Sequence, residues 1–157
     1  MANPFDSRLP QGAEFTSRSA IVMRVFIEVN TNERVEVIDV TSDVAAAVPN
    51  SLESGLCTVF VPHTTAGVIV NENEMRLISD IERLLDRLVP CDERYEHDEI
   101  DDNADAHLRA TLLGESVSVP VVDNDLTLGT WQSVLFVECD EPRTRRLQVM
   151  IVPKFDH

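Results

Sequence analysis

Lysine is almost missing from this sequence: of thirteen basic residues only Lys154 is one, set against twenty-eight Asp and Glu, for a net charge of −15. Such a surface repels nucleic acid and anionic membranes, so both are excluded as partners. Cysteine is also scarce. Cys57, Cys91 and Cys139 are odd in number, far apart and without a CxxC pair, which excludes the disulfide framework of a small secreted domain. They read as buried free thiols. No apolar run approaches the roughly 18 residues of a membrane-spanning helix; the longest include Ala45–Val48 and Val134–Val137. The start, Met1 to Asp6, lacks a basic stretch followed by apolar residues, so no secretory signal is read and the cytoplasm is the expected location. Repeats, linkers and low-complexity tracts are absent too. One domain over residues 1–157 is therefore expected, with residues 1–12 as a loose polar lead-in.

What is present starts with the acid. An acidic excess with arginine in place of lysine resembles the surface bias of halophilic proteins, where carboxylates keep the chain hydrated in concentrated salt. An acidic protein of ordinary salinity is the alternative. On either reading, a negatively charged ligand needs local compensation by arginines, backbone amides or a metal.

Hydrophobic patterning places the elements. Residues from Glu14 to Val29 alternate and then become apolar and β-branched, Asn30-Thr31-Asn32 turns the chain, and residues 34–40 resume a strand. Thr41-Ser42-Asp43 offers a cap to a short helix over 44–48, stopped by Pro49. Strands are expected at 57–61 and 67–70. Met75, Ile78, Ile81, Leu84, Leu85 and Leu88 recur at helical spacing, which predicts a helix with Leu84 in the core. An acidic loop follows over 91–105, then a second long helix from near Asn103 to Gly114, capped by Asp102 or Asn103. Strands are expected at 116–122, 131–138 and 145–152, with turns at Asp123-Asn124-Asp125 and Gly129. The fold class is α+β: a β-rich sandwich or barrel of mostly antiparallel strands with two or three flanking helices.

Histidine carries the chemistry. His157 is terminal and is set aside, while His63, His97 and His107 lie in polar, turn-rich segments. Three imidazoles from separate elements can converge on one cation, leaving a fourth position open. Their gaps of 34 and 10 residues match no standard zinc-ligand spacing, and scattered surface histidines are the alternative.

The stretch Val61-Pro62-His63-Thr64-Thr65-Ala66-Gly67, followed by Val70-Asn71-Glu72-Asn73-Glu74, resembles the HTTA…NE signature of the YjbQ-like (secondary thiamine-phosphate synthase) family. Tyr95-Glu96-His97-Asp98 with Asp102-Asn103-Ala104-Asp105-Ala106-His107 resembles its next segment, Leu128-Gly129-Thr130-Trp131-Gln132 its LGTWQ motif, and Glu138 with Pro142-Arg143-Thr144-Arg145 its closing E…PR.R. The likeness runs in order over about residues 13–153. It implies a β-rich homotrimer with sites near subunit boundaries. It also implies a weak activity joining a pyrimidine diphosphate to a thiazole phosphate, with His63, His97 and His107 as the metal or catalytic group.

Loss of pyrophosphate leaves negative charge that a divalent cation, Arg143, Arg145 or backbone amides can stabilise. Zinc suits the three imidazoles; magnesium would prefer the oxygens of Glu72, Asp98 or Asp102. A metal-free site with one histidine as proton shuttle stays open. Thr64 and Thr65 can bind phosphate or serve their own turn. Glu72 can orient a histidine or cap a helix. Asp102 can belong to the site or to a solvated loop, and Asn103 to a cap or a ligand contact. Gln132, beside Gly129, can reach a substrate. The expected partner is a small phosphorylated metabolite. A metal-dependent hydrolase or lyase and a non-catalytic metal- or metabolite-binding protein are the competing functions.

Overall fold

The computed structural model describes residues 22–154. The lead-in expected at residues 1–12, the beginning of the first alternating stretch and His157 lie outside the described residues.

Eight strands and three helices follow the order β1 (Met23–Asn30), β2 (Glu36–Asp39), α1 (Thr41–Ala46), β3 (Ser54–Phe60), β4 (Ala66–Asn71), α2 (Met75–Leu88), a 3-10 turn (Glu96–Glu99), α3 (Ala104–Leu113), β5 (Ser116–Val122), β6 (Asp125–Leu126), β7 (Ser133–Glu138) and β8 (Thr144–Pro153). They form two sheets. One is five-stranded in the order β1-β8-β3-β5-β6, the other three-stranded in the order β2-β7-β4, and every pairing is antiparallel. The expected β-rich α+β class is the observed one.

Strand parity explains the layering. On β8, Arg145, Leu147, Val149 and Ile151 all point inward, and the residues between them face out. With Cys57, Val59, Val119 and Val121 they meet Val68, Val134 and Phe136 of the smaller sheet, and Val40, Val44 and Val48 close one end. The other face of the smaller sheet packs Val137 and Cys139 against Leu85 of α2 and Ala106 of α3, forming a second, smaller core. No helix of the described residues is long and apolar enough to cross a membrane.

Four local expectations need correction, the first being that of the three cysteines read as buried Cys91 is exposed. Leu84 is 42% exposed and Leu85 only 5%, because the sheet beneath α2 covers a narrower stripe than the helix's seven apolar residues offer. Asn103 holds the N-cap position of α3 as expected, but its side chain makes no cap bond; Asp98 Oδ1 instead accepts the Ala104 amide at 3.1 Å. Trp131 belongs to an exposed turn ahead of β7, not to the strand.

Gly67 sets the seat of α3. A Cβ there would come within 2.6 Å of Leu113 Cβ and 2.8 Å of the Gly114 carbonyl oxygen. The strand can lie this close to the helix end only without a side chain.

Candidate functional site

The sequence supplies three histidines, and the fold sorts them into two places. His97 belongs to the 3-10 turn and His107 to the first half of α3. Their rings meet edge to face with centroids 5.0 Å apart. Asp98 holds the two elements together, since Oδ2 accepts the Tyr95 amide at 3.4 Å while Oδ1 caps α3. Beside the pair opens a pocket of about 430 Å³ lined by Tyr95, Glu96, Ala104 and Leu108 as well as both histidines. The Tyr95 hydroxyl donates to the Pro90 carbonyl at 3.0 Å, fixing one wall.

His63 lies elsewhere, in the turn between β3 and β4. Its Nε2 lies 3.1 Å from the Arg146 amide nitrogen and 3.2 Å from the Arg146 carbonyl oxygen, so the ring closes the end of the β3–β8 ladder. Partial burial and the nearby charge of Arg145 hold its pKa below the usual imidazole value. The neutral ring is favoured, with Nε2 accepting the amide. Among the described residues no group of three or more His, Cys, Asp or Glu side chains is arranged to hold a metal ion. One chain therefore supplies two clustered imidazoles, a donor set that suits zinc in kind but is too small for a complete site.

The turn carrying His63 is anchored from below by Glu138, a carboxylate with no exposed surface. Arg145 Nε donates to its Oε2 at 2.6 Å, and the Arg145 Nη2 bonds Oε1. The amides of Cys139 and Asp140 donate to Oε1 at 3.1 Å each, and Thr31 Oγ1 donates to Oε2 at 3.4 Å. Arg145 Nη2 also donates to Thr65 Oγ1 at 2.9 Å, and the Thr65 carbonyl accepts the Cys139 amide at 3.2 Å. Buried charge is tolerated when paired and fully hydrogen-bonded, as here. Arg145 and Thr65, both read from sequence as ligand-binding, are thus committed to this network.

The remaining candidates disperse. Arg143 is half-exposed and pairs with Asp140 at 3.0 Å. Asp140 also receives the Asn103 amide at 3.5 Å, which links the network to the start of α3; Asn103 Oδ1 is buried without a hydrogen-bond partner. Thr64 and Asp102 are exposed, and Glu72 is half-buried at the end of β4. Gln132 folds back on its own turn, its Oε1 accepting the Gly129 amide at 2.8 Å.

Glu138 and Asp140 were not singled out from sequence as site residues. One signal was available: Arg145 sits at the inward parity of β8, in line with Leu147, Val149 and Ile151, and an inward arginine demands a buried acid.

The family model for UPF0047 protein YjbQ-like matches residues 26–154. The chain belongs to the YjbQ-like family. That match takes in all three histidines, the Glu138–Arg145 pair and every other candidate residue. Among YjbQ-like relatives, a UPF0047 protein of Methanothermobacter thermautotrophicus is 49% identical over 138 residues, covering 83% of this chain and 96% of its own. One from Archaeoglobus fulgidus is 50% identical over 123 residues, covering 78% and 96%. A solved YbjQ-like protein of unknown function from Sulfolobus solfataricus P2 superposes with a TM-score of 0.82 at 38% identity, covering 85% of this chain and 98% of that one. A hypothetical protein from Aeropyrum pernix K1 gives 0.81 at 41% identity, covering 84% and 99%. The two-sheet architecture described above is therefore the YjbQ-like fold.

Proposed function

We propose that this chain acts on a small phosphorylated metabolite at the His97–His107 pocket, as a thiamine-phosphate synthase-like transferase. The reaction joins a pyrimidine diphosphate to a thiazole phosphate and releases pyrophosphate. The observation that carries the reading is the pair of imidazoles with centroids 5.0 Å apart on a pocket of about 430 Å³. Small-molecule sites fall at roughly 300–1,000 Å³, with a few polar groups converging on an otherwise apolar wall. An imidazole has one nitrogen that can accept a proton and one that can donate it, so the pair can take a proton from one reactant and return it to another. The same nitrogens can contribute two donors to a divalent cation, zinc by its preference for imidazole or magnesium with carboxylate help.

We place the third imidazole on a second copy. Within one chain His63 does not line the pocket of the pair, and a homotrimer with sites at subunit boundaries would supply it from a neighbour. The acidic surface supports a salt-adapted setting, in which lowering the salt concentration weakens the fold. Retention of full stability in dilute buffer removes the salt-adapted part of the reading.

The test is metal content per chain of untagged protein by plasma mass spectrometry, with the variants His63→Ala, His97→Ala and His107→Ala. It is run beside a pyrophosphate-release assay on the two substrates. About one transition metal per chain that is lost in all three variants, together with release that depends on both substrates, supports the proposal. Metal without turnover favours a binding protein. Turnover of a single phosphorylated substrate by water favours a hydrolase.

A further inference from the structure

Twenty-eight acids surround thirteen bases in this chain, so an arginine that reaches no carboxylate needs an explanation. Arg34, Arg83, Arg109, Arg143 and Arg145 are all ion-paired. Arg24 and Arg146, like Arg76, Arg87 and Arg94, make no ion pair among the described residues, but these two converge on one ring. The Arg146 guanidinium carbon lies 4.0 Å from the centroid of Phe26, and that of Arg24 lies 5.3 Å from it.

Sheet geometry accounts for the convergence. Arg24, Phe26 and Glu28 share the outward face of β1, and Met150, Gln148 and Arg146 stand opposite them on β8. Arg146 is thus directly across from Glu28, but its guanidinium lies diagonally over Phe26 instead. Stacking on a ring face leaves the in-plane N–H donors of a guanidinium free. Of the neighbouring outward positions on this part of the sheet, Gln148, Met150, Thr58 and Phe60 carry no charge, and Glu28 is the one carboxylate, to which neither arginine is ion-paired. Two like charges gathered on one ring repel each other, and an anion between them relieves that repulsion. The patch also adjoins His63, which is hydrogen-bonded to the backbone of Arg146 itself.

We infer that Arg24, Phe26 and Arg146 form a binding site for a phosphate or diphosphate group on the outer face of the five-stranded sheet. This replaces Arg143 and Arg145, which are tied to Asp140 and Glu138, as the arginines that meet the anionic part of a ligand. The guanidinium edges donate paired hydrogen bonds to phosphate oxygens, and Phe26 holds both groups in place. The inference deepens the functional reading above, in that His63 is the site residue the anion would approach, but its test does not depend on turnover.

The experiment is a calorimetric titration with inorganic pyrophosphate on the whole chain, at the lowest salt concentration that keeps the circular dichroism of the folded protein. The variants are Arg146→Gln, Arg24→Gln and Phe26→Leu, with Arg87→Gln as an exposed arginine control. A loss of about tenfold or more in affinity in each arginine variant, a smaller loss in Phe26→Leu and no change in Arg87→Gln are expected. Equal affinity in all variants overturns the site, as does a loss confined to Arg143→Gln, made as a further variant in the same series. A change in oligomeric mass in Arg146→Gln with pyrophosphate binding intact overturns it as well, and reassigns the patch to contact between protein chains. Metal content separates the two readings: pyrophosphate binding without any metal would sink the metal centre and leave this site standing.

Discussion

Asp98 Oδ1 lies 3.1 Å from the amide of Ala104, so the residue next to His97 caps the helix that carries His107. The two imidazoles therefore share one support. Asp98→Ala should cost about 0.5–2 kcal/mol as a lost helix cap. It should also weaken metal or ligand binding at the pocket, because the 3-10 turn is no longer fixed to α3. Urea unfolding and a binding titration on one sample check both effects. A normal pocket on a destabilised fold would separate the cap from the site.

Glu138→Ala should cost about 3–5 kcal/mol, since it leaves the buried Arg145 charge without its partner. The loss should be read from the denaturant midpoint at unchanged slope. A cost below about 1 kcal/mol would mean that water enters and solvates Arg145 in the variant.

Leu85→Ala should cost about 2–5 kcal/mol as a core truncation, while Leu84→Ala should stay within about 0.5 kcal/mol in the isolated chain. A large cost at Leu84 that grows with protein concentration would show that a second copy covers the outer side of α2.

Thiol reactivity gives a test with a pH axis. Burial pushes the Cys57 thiol up to about 11 and the Cys139 thiol up to about 12, whereas Cys91 is exposed. Because the thiolate is the reactive form, both buried groups stay protonated and shielded at pH 8. One fast equivalent per native chain should react with a disulfide reagent, and three after denaturation. Two fast equivalents in the native state would mean that one core opens locally.

The fold was legible where side-chain alternation and turn chemistry agree. Residues 116–122 form a strand with the expected limits, and Asp123 and Asn124, both at positive φ, turn the chain back as the polar triplet suggested. The limits of α2 were legible for the same kind of reason, but which leucine it buries was not. An apolar stripe records what can be covered, and the sheet decides what is. The N-cap position at Asn103 was legible, but the side chain that bonds the first amide of α3 was not, because Asp98 reaches it across six residues through a 3-10 turn. Candidate histidines could be chosen by residue type and by family likeness, but the pairing of His97 with His107 and the separation of His63 depend on long-range packing. Glu138 stood out in the sequence only as the first letter of the closing motif, and its role as a buried partner follows from the inward parity of Arg145.

The pairing of β1 with β8 has a consequence for how the chain is made. Among the described residues, β1 finds its hydrogen-bonding neighbour only in the last strand, with Met23 opposite Ile151, and β8 also separates β1 from β3. A chain emerging from the ribosome therefore holds β1 without a partner, and β3 with one edge open, until almost all of it has been synthesised. Distant pairings of this kind slow folding, because the intervening chain must be ordered before the contacts form. The larger sheet, and with it the Arg24–Phe26–Arg146 patch and the seat of His63, closes as a late event in biosynthesis.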